Sequence, residues 1–205
     1  MQISEVTVDI DILKFLRAIY FGAYTNLYEA ASNRAYLDMN RTLRFHNIPN
    51  EERQELRKQV AVILEEDIRK VKRIHVEEQD TFDLWHFKIC KKIKKKYVDK
   101  GIDFTIGQSQ KWLNMTFKYL YILGDQELFD IFKYLHVPLD NYILDVAHNE
   151  FGFAIPKIAW SRWDNYKEEY LQYQNDLRAQ IKGKDPLRWE FEYWLLEKLG
   201  NDYGV

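Results

Sequence analysis

Between Thr105 and Gly124 the chain reads TIGQSQKWLNMTFKYLYILG. Wound at 3.6 residues per turn, this segment is apolar around most of its circumference. Ile106, Leu113, Phe117 and Leu120 share one face, and Trp112, Met115, Tyr119 and Ile122 occupy the adjoining one. A helix with so narrow a polar sector cannot lie on the outside of a small domain, so other elements must enclose it. Its ends are marked in the sequence. Thr105 with Gln108 three residues later makes a capping box, and Gly124 supplies the stop.

The enclosing elements also read as helices. Only 8 glycines and 4 prolines punctuate 205 residues, and apolar positions recur mostly at three- and four-residue intervals. The spacing predicts helices over about 8–23 and 26–45, the second stopping before Pro49, which disfavours helical backbone at the residue it follows. A third is capped by Asn50, has Glu51 and Glu52 at the positive end of its dipole, and runs to about His75. Asp80 caps a fourth, Asp125 starts a short one after the central helix, and Pro138 to about His148 forms another. After an irregular stretch over 149–159, Ser161 caps a helix to about Ile181. Asp185-Pro186 opens the last, ended by Gly200. The expected fold is all-α: one compact domain of about nine helices over 1–205, with no interdomain linker.

A formal charge of −2 does not advertise a polyanion partner, so any such surface must come from local segregation. Cys90 is the only cysteine, which excludes an internal disulfide framework and suits the cytoplasm. No uncharged run approaches the roughly 18 residues that span a bilayer, and the acidic amino terminus lacks the basic region of a signal peptide. No membrane association is expected.

The polar sector of the central helix holds Gln110, Lys111, Asn114 and Lys118, a line of amides and amines that needs partners, water or a cleft. A desolvated Lys111 has a more accessible neutral form, and a neutral amine is a nucleophile for imine chemistry. A lysine at the edge of a buried helix can equally snorkel to solvent. Downstream, His136-Val-Pro-Leu-Asp140 forces an extended approach and sets Asp140 at a helix start. There its carboxylate serves as a cap or steadies developing positive charge.

Gln110-Lys111 with Lys118, followed by Val137-Pro138-Leu139-Asp140, resembles the helix-hairpin-helix DNA glycosylases, especially the archaeal 8-oxoguanine group, over roughly residues 105–148. The resemblance implies Lys111 as catalytic amine and Asp140 as catalytic carboxylate; Gln110, Asn114 and Lys118 of the polar strip are the candidate substrate-binding residues. The Leu-Pro-Gly-Val-Gly hairpin of that group, whose amides grip a DNA phosphate, is missing, and Thr105-Ile-Gly107 replaces it poorly.

The fourth helix is lysine-rich. Lys91, Lys92 and Lys95 are its candidate nucleic-acid contacts, extended by Arg69, Lys70, Lys72 and Arg73 if the third and fourth helices pack antiparallel. A solvated outer face is the bland alternative. His86 and Cys90 have the four-residue spacing of two metal ligands, but two ligands do not make a site, so no metal is expected. No P-loop, Rossmann fingerprint or nucleophile elbow occurs, and no cofactor is expected. Two functions fit: a DNA-acting helical protein such as a base-excision N-glycosylase, or a noncatalytic protein-interaction or regulatory module of phage or defence type. The tryptophans and tyrosines of the carboxyl third would serve the second.

Overall fold

The structure, a computed structural model, describes residues 9–74 and 76–199, with side-chain surroundings to residue 195. It is all-α: 74% helical, with no strand among the described residues. In chain order the elements are α1 (Ile10–Phe21), α2 (Leu27–Met39) with a 3-10 turn at Asn40–Thr42, α3 (Asn50–Arg73), α4 (Gln79–Val98) and α5 (Ile106–Leu123). A 3-10 helix (Gln126–Tyr134), α6 (Asn141–Phe151) and a 3-10 turn (Trp160–Arg162) follow. A π-wound turn (Tyr166–Leu171) then runs into α7 (Gln172–Gln180), and α8 (Pro186–Leu199) completes the described chain. His75 and Gly200, expected to end two helices, lie outside the described residues.

α5 is the central element, with every residue except Tyr121 and Ile122 buried. The Thr105–Gln108 capping box forms with both reciprocal bonds, and Gly124 ends the helix in the left-handed region at φ 92°, where a side chain would be strained. α5 packs most extensively against α2. Ala30, Ala31, Ser32 and Ala35 are small and buried, so the two backbones approach closely, and the Trp112 indole donates to the Ser32 carbonyl (3.0 Å) and hydroxyl (3.1 Å). α3 and α4 pack against one another and continue this layer, α3 onto α2 and α4 onto α5. At the amino end of α5, the Gly107 amide donates to the Trp163 carbonyl at 2.8 Å. A Cβ there would stand 1.8 Å from the Trp160 carbonyl oxygen, so residue 107 must be glycine for the 160–163 segment to close on the core.

Several expected boundaries move for local reasons. α2 ends at Met39 because the chain tightens into a 3-10 turn in which Thr42 Oγ1 donates to the Met39 carbonyl. Pro49, extended at ψ 152°, is the cap of α3, and Asn50 is its first helical residue. Glu78 occupies the cap of α4 with no side-chain bond, leaving Asp80 in the first turn. Residues 138–140 stay extended, so α6 starts at Asn141. Helix continues to Phe151, which leaves only 152–159 of the expected irregular stretch before the next turn. Ser161 lies in a 3-10 turn, and the following helix is capped by Asn165, whose Oδ1 accepts from the amides of Lys167 and Glu168, both at 3.2 Å.

α1 is held differently from every other helix whose burial is described in full: none of its residues is buried. Ile10, Ile12, Phe15, Leu16 and Ile19 are each more than half exposed. It leans on the rest through Leu13, Arg17 and Phe21, which share one face at four-residue spacing and are partly buried.

Candidate active site

The polar strip of α5 divides between two environments. Lys111 and Lys118 face a cleft of about 860 Å³ bounded by α1, α2, α5 and α8, whereas Gln110 and Asn114 face the opposite side, toward α4 and the π-wound turn at Tyr166–Leu171. In the cleft wall, Lys111 Nζ donates to Asp140 Oδ2 at 2.7 Å and lies 3.4 Å from the Pro138 carbonyl. Asp140 Oδ1 accepts from the Ile143 amide at 3.0 Å, so this one carboxylate both caps α6 and pairs with Lys111. The extended Pro138-Leu139-Asp140 corner makes both bonds possible, because it brings the carboxylate back over α5 before the helix begins. Burial by itself would raise the Asp140 carboxyl. The charge and hydrogen bond of Lys111, the Ile143 amide and the charge of Lys118 together outweigh it and hold the group below the usual carboxylate range.

Two turns along α5, Lys118 Nζ donates to Glu190 Oε1 of α8 at 2.7 Å, with the side chains only 9% and 3% exposed. The ammonium also stands 4.8 Å from the Phe191 ring centroid and 5.5 Å from that of Trp194. Across the cleft, the Arg34 guanidinium lies over the Tyr20 ring at 4.4 Å and reaches Asp38 at 3.6 Å, and the Tyr119 hydroxyl donates to Asp38. Arg17, Arg34, Arg41, Lys111 and Lys118 set five cations against the carboxylates of Asp38, Asp140 and Glu190. The cleft thus carries surplus positive charge between aromatic walls, a combination that suits a flat, polar, anionic ligand.

Gln110 and Asn114, expected to meet substrate, are not brought into this cleft. Gln110 Nε2 donates to the Leu139 carbonyl (3.1 Å) and its Oε1 accepts from Asn114 (3.0 Å), while Asn114 also donates to the Tyr170 hydroxyl (2.8 Å) and meets His86 Nε2 (2.9 Å). Their partners form a buried network. His136 Nε2 is 2.7 Å from Asp83 Oδ1, His136 Nδ1 is 2.8 Å from Tyr170, and Tyr166 joins His86 to the Asp83 carbonyl. Helical periodicity places these residues on a polar strip, but their destination depends on Tyr166 and Tyr170, more than fifty residues away. Cys90 Sγ does approach His86 Nδ1 at 3.6 Å, with both side chains fully buried, but no group of three His, Cys, Asp or Glu side chains suited to a metal occurs among the described residues.

Three of the six lysines of α4 pair with acids of the protein itself. Lys92 pairs with Asp67 at 2.7 Å, Lys95 with Asp99 at 2.5 Å, and Lys94 with Asp164 at 2.5 Å, while Lys91 lies 5.3 Å from the Phe87 ring centroid. Phosphates would have to displace carboxylates at Lys92 and Lys95, and only Lys91 of the three expected contacts has no acidic partner shown. A second groove of about 970 Å³ follows this face of α4 and the 164–175 segment. It is larger than the cleft at Lys111; of the lysines that line it, Lys94 and Lys95 are already paired, and Lys91 and Lys167 stand beside them.

Arg34, Asp38 and Arg41 recur at intervals of four and three, a spacing that predicts an ion-paired line able to present arginine to a phosphate, whereas sequence reasoning does not single out Glu190. Glu190 had a signal: an acid set between Trp189 and Phe191 in a helix whose neighbouring residues are aromatic. No helix among the described residues is long and apolar enough to cross a membrane. Comparison of the chain with protein families, curated proteins and solved structures returns no match.

Proposed function

We propose that the cleft at Lys111 is the active site of a DNA-acting N-glycosylase, which takes a base extruded from the duplex and cuts its bond to the sugar. The observation that carries this reading is the Lys111–Asp140 pair at 2.7 Å in the wall of an 860 Å³ cleft with aromatic sides and surplus positive charge. Asp140, held as a carboxylate, steadies the positive charge that develops on the sugar as the glycosidic bond lengthens. The Lys111 ammonium gives a proton to the departing base, which leaves neutral, and the amine so formed adds to the sugar carbon. The C1′–O4′ bond then breaks, O4′ takes one proton from the adduct nitrogen, and a protonated imine is left on Lys111. Arg34 and Arg41 at the cleft wall provide charge for the flanking phosphates. The free, buried Cys90 suits the reducing cytoplasm where such a protein would work.

The test is base release from duplexes carrying a panel of oxidised, deaminated and alkylated bases, measured chromatographically. Wild-type protein releases at least one, and Lys111→Met lowers the rate by about 10²-fold or more. Absence of release across the panel, or release undiminished in Lys111→Met, refutes the assignment.

A second reading rests on a different observation. The exposed Ile12, Phe15 and Ile19 of α1 would suit a noncatalytic module that docks a partner protein through this helix.

A further inference from the structure

Three side-chain atoms of the cleft lining are buried without a partner, Arg17 Nε, Arg34 Nε and Glu190 Oε2, and only the last is an acceptor. Glu190 is 2% exposed; its Oε1 accepts from Lys118, but its Oε2 is shielded from solvent and has no hydrogen-bond partner. An ionised carboxylate oxygen closed off in this way forfeits a charge-assisted bond, a costly omission for a native core. It lies on a residue that lines the cleft, beside the Lys118 ammonium, which donates to the other carboxylate oxygen. The pair thus presents an acceptor next to a donor, flanked by the Phe191 and Trp194 rings that would sandwich or edge a flat heterocycle.

The spacing along α5 connects this pair to the reaction centre. Lys111 and Lys118 are seven residues apart, which a rise of about 1.5 Å per residue converts to roughly 10 Å along the helix. That is the scale of a nucleoside lying with its sugar carbon at one lysine and the far edge of its base hydrogen-bonded near the other.

We propose that Glu190 and Lys118 form the specificity element of the cleft and read a lactam edge, a ring N–H beside a carbonyl, as in hypoxanthine, guanine, uracil and thymine. Glu190 Oε2 accepts the ring N–H and Lys118 donates to the carbonyl oxygen. A lactam fits better than the amidine edge of adenine or cytosine because its ring N–H is the more acidic donor and its carbonyl concentrates negative charge on one atom facing the ammonium. The ligand reaches Oε2 only when a wall of the cleft yields. α1, with no buried residue, is the most weakly held wall. This inference rests on the nucleobase reading of the site but not on turnover.

The experiment is calorimetric titration of the full chain with inosine and 1-methylinosine, and with uridine and 3-methyluridine, each methyl removing the N–H while keeping the carbonyl. The expected result is binding of both parents, weakened about tenfold or more by each methylation, with adenosine bound no better than the methylated nucleosides. In Glu190→Gln the parents lose affinity and the methylation penalty falls below threefold. Equal binding of methylated and parent nucleosides, adenosine binding as tightly as inosine, or no nucleoside binding overturns the proposal. The comparison of ligands on wild-type protein stands even if the variant does not fold. Base release on the duplex panel keeps the two readings apart: release without an effect of N-methylation removes only the role of Glu190, and N–H-dependent binding without release removes only the catalysis.

Discussion

Removing one member of the Lys118–Glu190 pair is far more damaging than removing both. The side chains are 9% and 3% exposed, in contrast to a surface pair such as Lys14–Asp11 at 66% and 83%. In Lys118→Met the Glu190 carboxylate keeps its burial and loses the single hydrogen bond it makes, and such an uncompensated charge costs about 3–5 kcal/mol. For a domain of this size that lowers Tm by roughly 6–20 °C, at about 2–4 °C per kcal/mol. Lys118→Met with Glu190→Leu fills similar volume and leaves no charge behind, so it returns stability to the wild-type level or exceeds it by about 1–4 kcal/mol. Urea unfolding of the wild type, both single variants and the double variant closes the cycle. Equal slopes across the set establish that midpoint shifts report stability alone. A cost below about 1 kcal/mol for Lys118→Met, the value of an exposed pair, would show that water reaches Glu190. A double variant that costs the sum of the two single variants would show that the two charges are not coupled.

Three further outcomes follow from the structure. Gly107→Ala, which would ordinarily gain up to about 1 kcal/mol in a helix, instead destabilises by about 1–3 kcal/mol because its Cβ would meet the Trp160 carbonyl oxygen at 1.8 Å. A stabilised variant in thermal unfolding would contradict that close approach. Burial holds His86 and His136 below the ordinary imidazole range; for His86 the neighbouring His136 adds to this, and for His136 the bond and charge of Asp83 offset it only in part. The unfolded chain therefore takes up these protons first, so stability is full above about pH 6.5 and falls as pH drops below it, by up to about 1.4 kcal/mol per pH unit for each histidine. A urea midpoint unchanged from pH 7.5 to 5.5 would refute their neutral burial. Phe15→Ser and Ile19→Ser, at side chains 63% and 67% exposed, change stability by no more than about 0.5 kcal/mol. A larger loss would show that α1 is packed more tightly than its exposure implies.

What the sequence makes legible is local. The Thr105–Gln108 box, the Gly124 stop and the apolar circumference of α5 are encoded within twenty residues, and each forms as the spacing demands. The Lys111–Asp140 pair is reachable from the sequence because Pro138 fixes where Asp140 stands relative to the helix before it. The fate of Gln110 and Asn114 is not, since a helical wheel gives a face and not a partner, and their partners Tyr170 and His86 come from other helices. The π-wound start at Tyr166 is hidden for the same reason. Both Tyr166 and Tyr170 join the buried network, and nothing in the local pattern of residues 166–171 announces a change of winding. The lysines of α4 mislead in a similar way, because Asp67 and Asp164, which neutralise Lys92 and Lys94, lie 25 and 70 residues distant in the chain.

The central claim is that the Lys111 amine adds to a sugar carbon, and borohydride trapping addresses that bond itself. Protein is incubated with the lesion duplexes and borohydride, the covalent adduct is isolated, and the modified residue is located by peptide mass mapping. The account predicts an adduct on Lys111 that forms only with a substrate duplex and disappears in Lys111→Met. An adduct at another lysine, or base release that proceeds with no trapped adduct at all, would contradict it.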